Sequence, residues 1–229
     1  MPTDYGHQRR PIALHLLAKA PIPGKAKTRL NPRLGAYGSA SAHAEMVKRC
    51  VVHACRALPA AQVTLWTALD HEHPLFLALQ QRLGINLAPQ PEGDLGVRIR
   101  HALASTFPST PGPAMIMGSD CPSITPELIQ TCAARLATHP VVILPAEDGG
   151  YGLIGTNDDY PALFRDIPWG GGEVLNVTRK RLDALGLKAA FPATVWDVDR
   201  PEDWQRYRRL YPRAPSLAPS SFSSSRNCS

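Results

Sequence analysis

Four cations fall within the eleven residues from Lys19 to Arg29, in the stretch Ala18-Lys19-Ala20-Pro21-Ile22-Pro23-Gly24-Lys25-Ala26-Lys27-Thr28-Arg29-Leu30. Two prolines stiffen this chain and Gly24 gives it one flexible point. Such a cluster suits the phosphates of a nucleotide, because Arg forks onto two oxygens and Lys supplies a mobile point charge. The same residues on a solvated basic loop would have no ligand, and composition alone leaves both readings open. The spacing is not that of a Walker loop, whose first Gly would fall at position 19, which is Lys.

Three acidic segments could complement that loop. Met117-Gly118-Ser119-Asp120-Cys121-Pro122 ends an apolar run in a carboxylate, a natural ligand for Mg²⁺ or Mn²⁺, which take oxygen donors and share them with substrate phosphates. The competing reading is a turn or capping Asp before Pro122. In Pro145-Ala146-Glu147-Asp148-Gly149-Gly150-Tyr151-Gly152 the Asp-Gly-Gly run is first a hairpin turn, and second a place where backbone can approach a ligand while Glu147 or Asp148 accepts from sugar hydroxyls. Asp197 and Asp199 stand at i and i+2 on an extended piece, so both side chains point one way and both could face one metal. Pro201, Glu202 and Asp203 then open a helix with acids in its positive first turn. Cys121 has no nearby His in sequence and is expected to be a buried spectator thiol.

These residues need a scaffold that holds four distant segments together. Short apolar runs at Ile12–Ala18, Val63–Ala68, Ala114–Met117, Val141–Leu144 and Tyr151–Ile154 predict buried strands, with weaker ones at Ile85–Ala88 and Lys188–Val195. Helical spacing predicts helices over Ser39–Leu58, Leu95–Phe107, Pro126–Ala137 and Glu173–Leu185, the third capped by Thr125. The alternation implies an α/β fold with a mainly parallel sheet covered on both faces. Ligands of such sheets bind beyond the carboxyl ends of the strands, where the loops after Ala18, Met117 and Leu144 begin.

Composition narrows the class. With 229 residues, 44% hydrophobic and 19% charged, the chain can bury one sizeable core and is not of the disordered type. No apolar window is long enough to span a membrane, and the first ten residues carry no signal-peptide core. The net charge of +6 is uneven: residues 1–35 hold seven Lys/Arg against one acid, residues 36–199 twelve against sixteen, and residues 200–229 six against two. A nucleic-acid binder would spread its charge along a whole face, so no nucleic-acid partner is expected. Five cysteines, odd in number and without a C-x-x-C pair, point to a reducing cytoplasm. His71-Glu72-His73 lacks the i, i+4 spacing of a helical zinc pair and is expected to be a solvated turn. Residues 1–10 and 212–229 are expected to be disordered tails around a single domain, 11–211.

Taken in order, the segments resemble the nucleotide-diphospho-sugar transferase superfamily of GT-A fold. More narrowly, they are similar to a bacterial family of glycosyltransferase-like proteins found beside radical-SAM and selenium-related proteins. Its pattern A-K-x-P-x-P-G-x-x-K-T-R-L, D-L-G, G-S-D-x-P, P-A-x-D-G-G-Y-x-L-I-G, I-P-W and D-x-D-x-P-E-D stands here at Ala18–Leu30, Asp94–Gly96, Gly118–Pro122, Pro145–Gly155, Ile167–Trp169 and Asp197–Asp203. The resemblance implies a three-layer α/β/α sandwich with a mainly parallel, mixed sheet. It implies that Lys19, Lys25, Lys27 and Arg29 contact phosphates, with Lys25, Arg29 and Asp120 taking part in catalysis. Asp120, with Asp199 or Asp197, would hold a divalent cation, Mg²⁺ or Mn²⁺. Asp148, Gly149 and Gly150 would lie against acceptor or sugar, and Asp94 near the base or ribose.

The implied activity is metal-dependent transfer from a nucleotide sugar to a small-molecule acceptor. A nucleotidyltransferase that takes a nucleoside triphosphate and releases pyrophosphate is the alternative, and a non-catalytic nucleotide-binding module is the alternative of another class. Three departures stand out. Gly118-Ser119-Asp120 offers one carboxylate where many GT-A enzymes have Asp-x-Asp, Gly170-Gly171-Gly172 replaces the usual Ser or Thr, and Arg200 replaces Thr beside the acidic pair, where it could compete for the metal's carboxylates.

Overall fold

The computed structural model describes residues 11–106 and 112–213. Of the two expected tails, all but residues 212 and 213 lie outside the described residues, as does Phe107 at the end of its expected helix. Seven strands form one sheet: β1 (Ala13–Lys19), β2 (Val63–Ala68), β3 (Asn86–Pro89), β4 (Ala114–Gly118), β5 (Val141–Pro145), β6 (Tyr151–Thr156) and β7 (Ala189–Ala190). Their order is β3-β2-β1-β4-β6-β5-β7. Every neighbouring pair is parallel except those made by β6, which runs antiparallel between β4 and β5. The mixed, mainly parallel sheet is therefore as expected, and the Asp-Gly-Gly segment is the turn of the β5–β6 hairpin.

Alternation of side chains divides the central strands between two cores. Leu14, Leu16, Met115, Met117, Val142 and Leu144 point to one face, against α1 (Asn31–Ala57), α2 (Pro74–Leu83) and α4 (Pro126–Arg135). Ile116, Val141, Ile143 and Ile154 point to the other, against α3 (Leu95–Ala104) and α5 (Val174–Ala184). With both faces covered, the strands are continuous apolar runs, as a parallel sheet requires. A third cluster of Leu30, Met46, Trp196, Val198 and Tyr207 fastens α6 (Pro201–Leu210) to α1. No helix among the described residues is long and apolar enough to cross a membrane.

Three elements depart from expectation. α1 starts at Asn31 rather than Ser39, because Pro32 opens a first turn that breaks at Gly35 (φ 66, ψ 172) and resumes. α2 is an addition; Pro74 starts it, Phe76 and Leu79 are its buried contacts, and Gly84 ends it in a left-handed cap. The strand expected over Lys188–Val195 shrinks to Ala189–Ala190 plus a single bridge from Val195 to Ala146, since Pro192 has no N–H to donate.

Candidate functional site

The carboxyl ends of β1, β4 and β5 and the start of antiparallel β6 open on one cavity of about 730 Å³. It lies where a ligand of an open α/β sheet belongs. Lys19 lines it from the end of β1, Lys25, Lys27 and Arg29 from the loop that follows, Asp120 from the loop after β4, Asp148 and Gly150 from the β5–β6 turn, and Asp197 and Asp199 from the segment before α6.

The basic loop is pinned as well as charged. Its Ala20 N–H donates to Ala68 O of β2 (2.9 Å), Ala26 N–H to Ile22 O (3.1 Å), and the Ala26 side chain is buried. Lys27 follows in the left-handed region (φ 48, ψ 45), a conformation that costs a residue with a Cβ roughly 1–2 kcal/mol and persists only where the surroundings impose it. Lys19 and Lys25 are exposed and form no ion pair among the described residues. Lys27 instead turns inward. Its Nζ donates to Asp120 Oδ2 at 3.0 Å and lies 3.7 Å from Asp199 Oδ1, while Arg29 pairs with the other oxygen of Asp199.

This arrangement places the two acidic segments around one ammonium. Asp120 O accepts from Val198 N–H (2.9 Å), and Asp203 Oδ2 accepts from the N–H groups of Asp199 (3.1 Å) and Arg200 (2.7 Å), so the start of α6 fixes Asp199. Asp197 and Asp199 face the same cavity, as their i, i+2 spacing predicts. The cation that engages Asp199 is Arg29; Arg200 is exposed and makes no ion pair among the described residues.

Burial opposes the charge of Lys27, yet the adjacent Asp120, with Asp199 and Asp197 behind it, outweighs burial and raises its pKa. Burial likewise works against the charge of Asp120, but the Lys27 ammonium holds its carboxyl below the ordinary value. Asp197 has no such partner: burial first, then the negative charges of Asp120 and Asp148, push it up to about 6. Lys27 and Arg29 thus pair with Asp120 and Asp199, while Asp197 forms no ion pair among the described residues.

Among the described residues, no three His, Cys, Asp or Glu side chains are grouped to hold a metal ion as they stand. The donor chemistry nonetheless fits a hard cation. Oxygens of Asp120 and Asp199 already converge on one positive centre, the Lys27 ammonium, and Mg²⁺ is commonly held by one or two carboxylates completed by substrate phosphates.

On the other rim, Asp148 Oδ1 accepts from Gly150 N–H (2.9 Å), closing the hairpin turn. Gly149 has φ 89, and a Cβ there would meet Gly172 O at 2.1 Å. Leu175 N–H also donates to Gly149 O (2.9 Å), so the turn is fastened to the start of α5 and packs closely on Gly172. Glu147 points away and makes a two-pronged pair with Arg206 of α6 (2.7 and 3.1 Å). Asp94 caps α3, accepting from Val97 N–H (2.8 Å), and it is Gly93 and Leu95 on either side that line the cavity.

Cys121 is buried, and burial pushes its thiol well above the ordinary value, which leaves it inert as a nucleophile. His73 caps α2 and His71 bonds Thr67, so His71-Glu72-His73 is structural. Sequence reasoning does not single out Gln90, Arg98 and Trp169 as site residues, although all three line the cavity. Arg98 Nη1 donates to Gln90 Oε1 (3.2 Å), and Gln90 in turn donates to Ala18 O (3.1 Å) and Trp66 O (2.8 Å). Trp169 stands edge-on to Tyr151, its centroid 6.1 Å away, and packs over Gly96, where a Cβ would meet its indole nitrogen at 2.5 Å. The usable signal is position: Arg98 lies one helical turn past the Asp94 cap, and Trp169 ends the Ile-Pro-Trp motif.

Residues 51–171 match the profile of a family described as an uncharacterized protein conserved in bacteria (DUF2064). No curated protein matches the chain. Among solved structures, a protein from Desulfovibrio desulfuricans G20, put forward as a nucleotide-diphospho-sugar transferase, is similar at 29% identity and TM-score 0.74, over 82% of each chain. A nucleotidyl transferase from Methanothermobacter thermautotroptrophicus has TM-score 0.60 at 14% identity, over 89% of this chain and 99% of that one. CMP:2-keto-3-deoxy-manno-octonic acid synthetase, complexed with CTP, has TM-score 0.57 at 14% identity, over 87% and 98%. The last two likenesses are of fold, and the fold is that of the nucleotide-diphospho-sugar transferases.

Proposed function

The chain belongs to the family described as an uncharacterized protein conserved in bacteria (DUF2064), and from that premise we propose that it is a transferase acting on a nucleotide-activated donor, a nucleotide sugar, with a small molecule as acceptor. One observation carries this reading. A single cavity at the carboxyl ends of the strands brings a loop of four cations to face Asp120, Asp197 and Asp199. Lys19, Lys25 and Arg29 would bind the donor's phosphates and neutralise charge on the leaving diphosphate; Asp120 and Asp199 would hold Mg²⁺ or Mn²⁺, which when bound supplies further neutralisation there. Asp148 and Gly150, with Trp169 beside Tyr151, would bound the sugar or acceptor. Acceleration would come from positioning and electrostatics, with no protein nucleophile needed. The likeness to a protein put forward as a nucleotide-diphospho-sugar transferase supports the same donor class.

A specific observation favours a second reading. The strand end offers one carboxylate, Asp120, in place of an Asp-x-Asp pair, and the fold is shared with a nucleotidyl transferase and with a synthetase complexed with CTP. In that case a phosphate on the acceptor would attack the α-phosphate of a nucleoside triphosphate and pyrophosphate would leave.

The test is turnover. The chain is incubated with nucleotide sugars or nucleoside triphosphates and a panel of sugar phosphates and alcohols, with Mg²⁺ or Mn²⁺. Release of nucleoside diphosphate supports glycosyl transfer, and release of pyrophosphate supports nucleotidyl transfer. Tight nucleotide binding with neither product would sink both and leave a binding module.

A further inference from the structure

The inner end of the basic loop and the metal carboxylates are not separate parts of the site. Lys27 Nζ lies 3.0 Å from Asp120 and 3.7 Å from Asp199, on the inner side of both; its side chain is 10% exposed, whereas those of Asp120 and Asp199 are 38% and 32% exposed. The carboxylates therefore present open faces to the cavity while their inner faces converge on an ammonium. A dication brought to the same two carboxylates would lie within a few ångströms of that ammonium. Coulomb repulsion at such spacing opposes joint occupancy, unless anionic oxygens come between them.

We propose that the Lys27 ammonium and a divalent cation are mutually exclusive partners of the Asp120 and Asp199 carboxylates, and that Lys27 leaves them for the donor's phosphates when nucleotide and cation arrive together. The proposal rests on the reading of Asp120 and Asp199 as cation ligands for a nucleotide donor. The backbone of Lys27 stays where it is. It is held left-handed, its carbonyl accepts from Leu30 N–H (2.9 Å), and the preceding Ala26 is buried. Only the flexible four-carbon stem moves. The phosphates it would reach are those placed by Lys19 and Lys25, which line the same cavity and have no ion-pair partner among the described residues. The exchange makes the cation site conditional. In the nucleotide-free protein the Lys27 ammonium, with Arg29 on the other oxygen of Asp199, occupies the carboxylates and keeps free metal out; with nucleotide, phosphate oxygens draw the ammonium away and complete the metal's coordination.

The test is Mn²⁺ binding to the full chain without nucleotide, followed by the spin-resonance signal of free Mn²⁺ and by calorimetry. Lys27→Met should bind Mn²⁺ at least tenfold more tightly than the parent, and Asp120→Asn added to Lys27→Met should erase that gain. Mn²⁺ affinity in Lys27→Met equal to or below the parent's overturns the exchange. Should Lys27→Met fold poorly in a chelator, because its carboxylates repel, melting with and without Mn²⁺ decides the same question. A melting temperature restored by Mn²⁺ supports the proposal, and one indifferent to the ion overturns it. Lys27→Arg, which keeps a charge in place, should bind Mn²⁺ no better than the parent; a gain as large as that of Lys27→Met counts against exchange. Turnover by the parent chain bears on the transferase reading alone, so the two can fail separately.

Discussion

Two polar clusters near β1 are built in opposite ways. On the α3 side of the sheet, His15 of β1 is closed in: Trp66 Nε1 donates to its Nδ1 (3.0 Å), its Nε2 meets Thr106 Oγ1 (2.7 Å), and the residue is 3% exposed. Since Nδ1 accepts, Nε2 carries the hydrogen and donates it, which fixes one neutral tautomer. Beyond the carboxyl end of the same strand, Lys27 belongs to a cluster of full charges whose carboxylates stay open to the cavity. The closed cluster has every partner it needs within the fold. The open one leaves Asp197, Lys19 and Lys25 without ion-pair partners among the described residues, and those unpaired charges are what a ligand can use.

The difference can be broken at either end. The largest effect is expected from Asp120→Asn, which should weaken nucleotide binding in Mn²⁺ by about 100-fold and also lower the melting temperature, because it takes from the buried Lys27 ammonium its closest partner. Calorimetry in Mn²⁺ and in chelator checks it, and equal affinities in mutant and parent would remove Asp120 from the site.

Next comes His15→Phe, which strands Trp66 Nε1 and Thr106 Oγ1 and should cost about 2–3 kcal/mol of stability in urea melts, with ligand affinity per folded molecule unchanged. A change in affinity would show that the closed cluster reaches the cavity. The same cluster has a pH signature. Burial lowers the His15 pKa from 6.5 to about 4, so the folded state binds fewer protons than the unfolded one between those values. Its contribution is fully present above pH 6.5 and is lost as pH falls toward 4, up to about 3 kcal/mol. The slope of urea stability against pH over that window should flatten in His15→Phe; an unchanged slope would assign it to other groups.

The smallest effect is expected from Lys25→Ala with Arg29→Ala, which should weaken nucleoside di- and triphosphates about tenfold and nucleosides hardly at all, as lost charge-assisted contacts would. Titration of a matched nucleoside series checks it. An equal loss for nucleosides would mean that the loop does not read phosphate.

Much of this is legible in the sequence, for reasons that differ by region. Val63–Ala68 and the runs around Leu14, Ile116 and Ile143 announce strands because both sheet faces are covered and each strand must be apolar throughout. Thr125-Pro126-Glu127 marks the start of α4 by cap chemistry alone. α2 escapes notice because only Phe76 and Leu79 are buried, too few to show a helical period, although Pro74 and Gly84 punctuate both its ends. Within the site, the chemistry of Lys19, Lys25, Lys27, Arg29, Asp120, Asp197 and Asp199 follows from residue type, and all seven line one cavity. What the chain order cannot reveal is which of them meet. Lys27 and Asp120 are 93 residues apart, and Arg29 and Asp199 170, so their pairing is set by the sheet's crossovers and not by any local pattern. Asp94 shows the converse, a motif residue whose side chain is spent on capping α3.

The attachment of Asp199 makes the site depend on a helix outside the sheet. Its segment is tied down by Val195 on Pro145 and Glu147, by Val198 on Asp120 and by Asp203 at the head of α6, and Val195, Val198 and Asp203 all follow the last sheet strand. A change confined to α6 would therefore release one of the carboxylates that face Lys27 while leaving the sheet and the basic loop as they are.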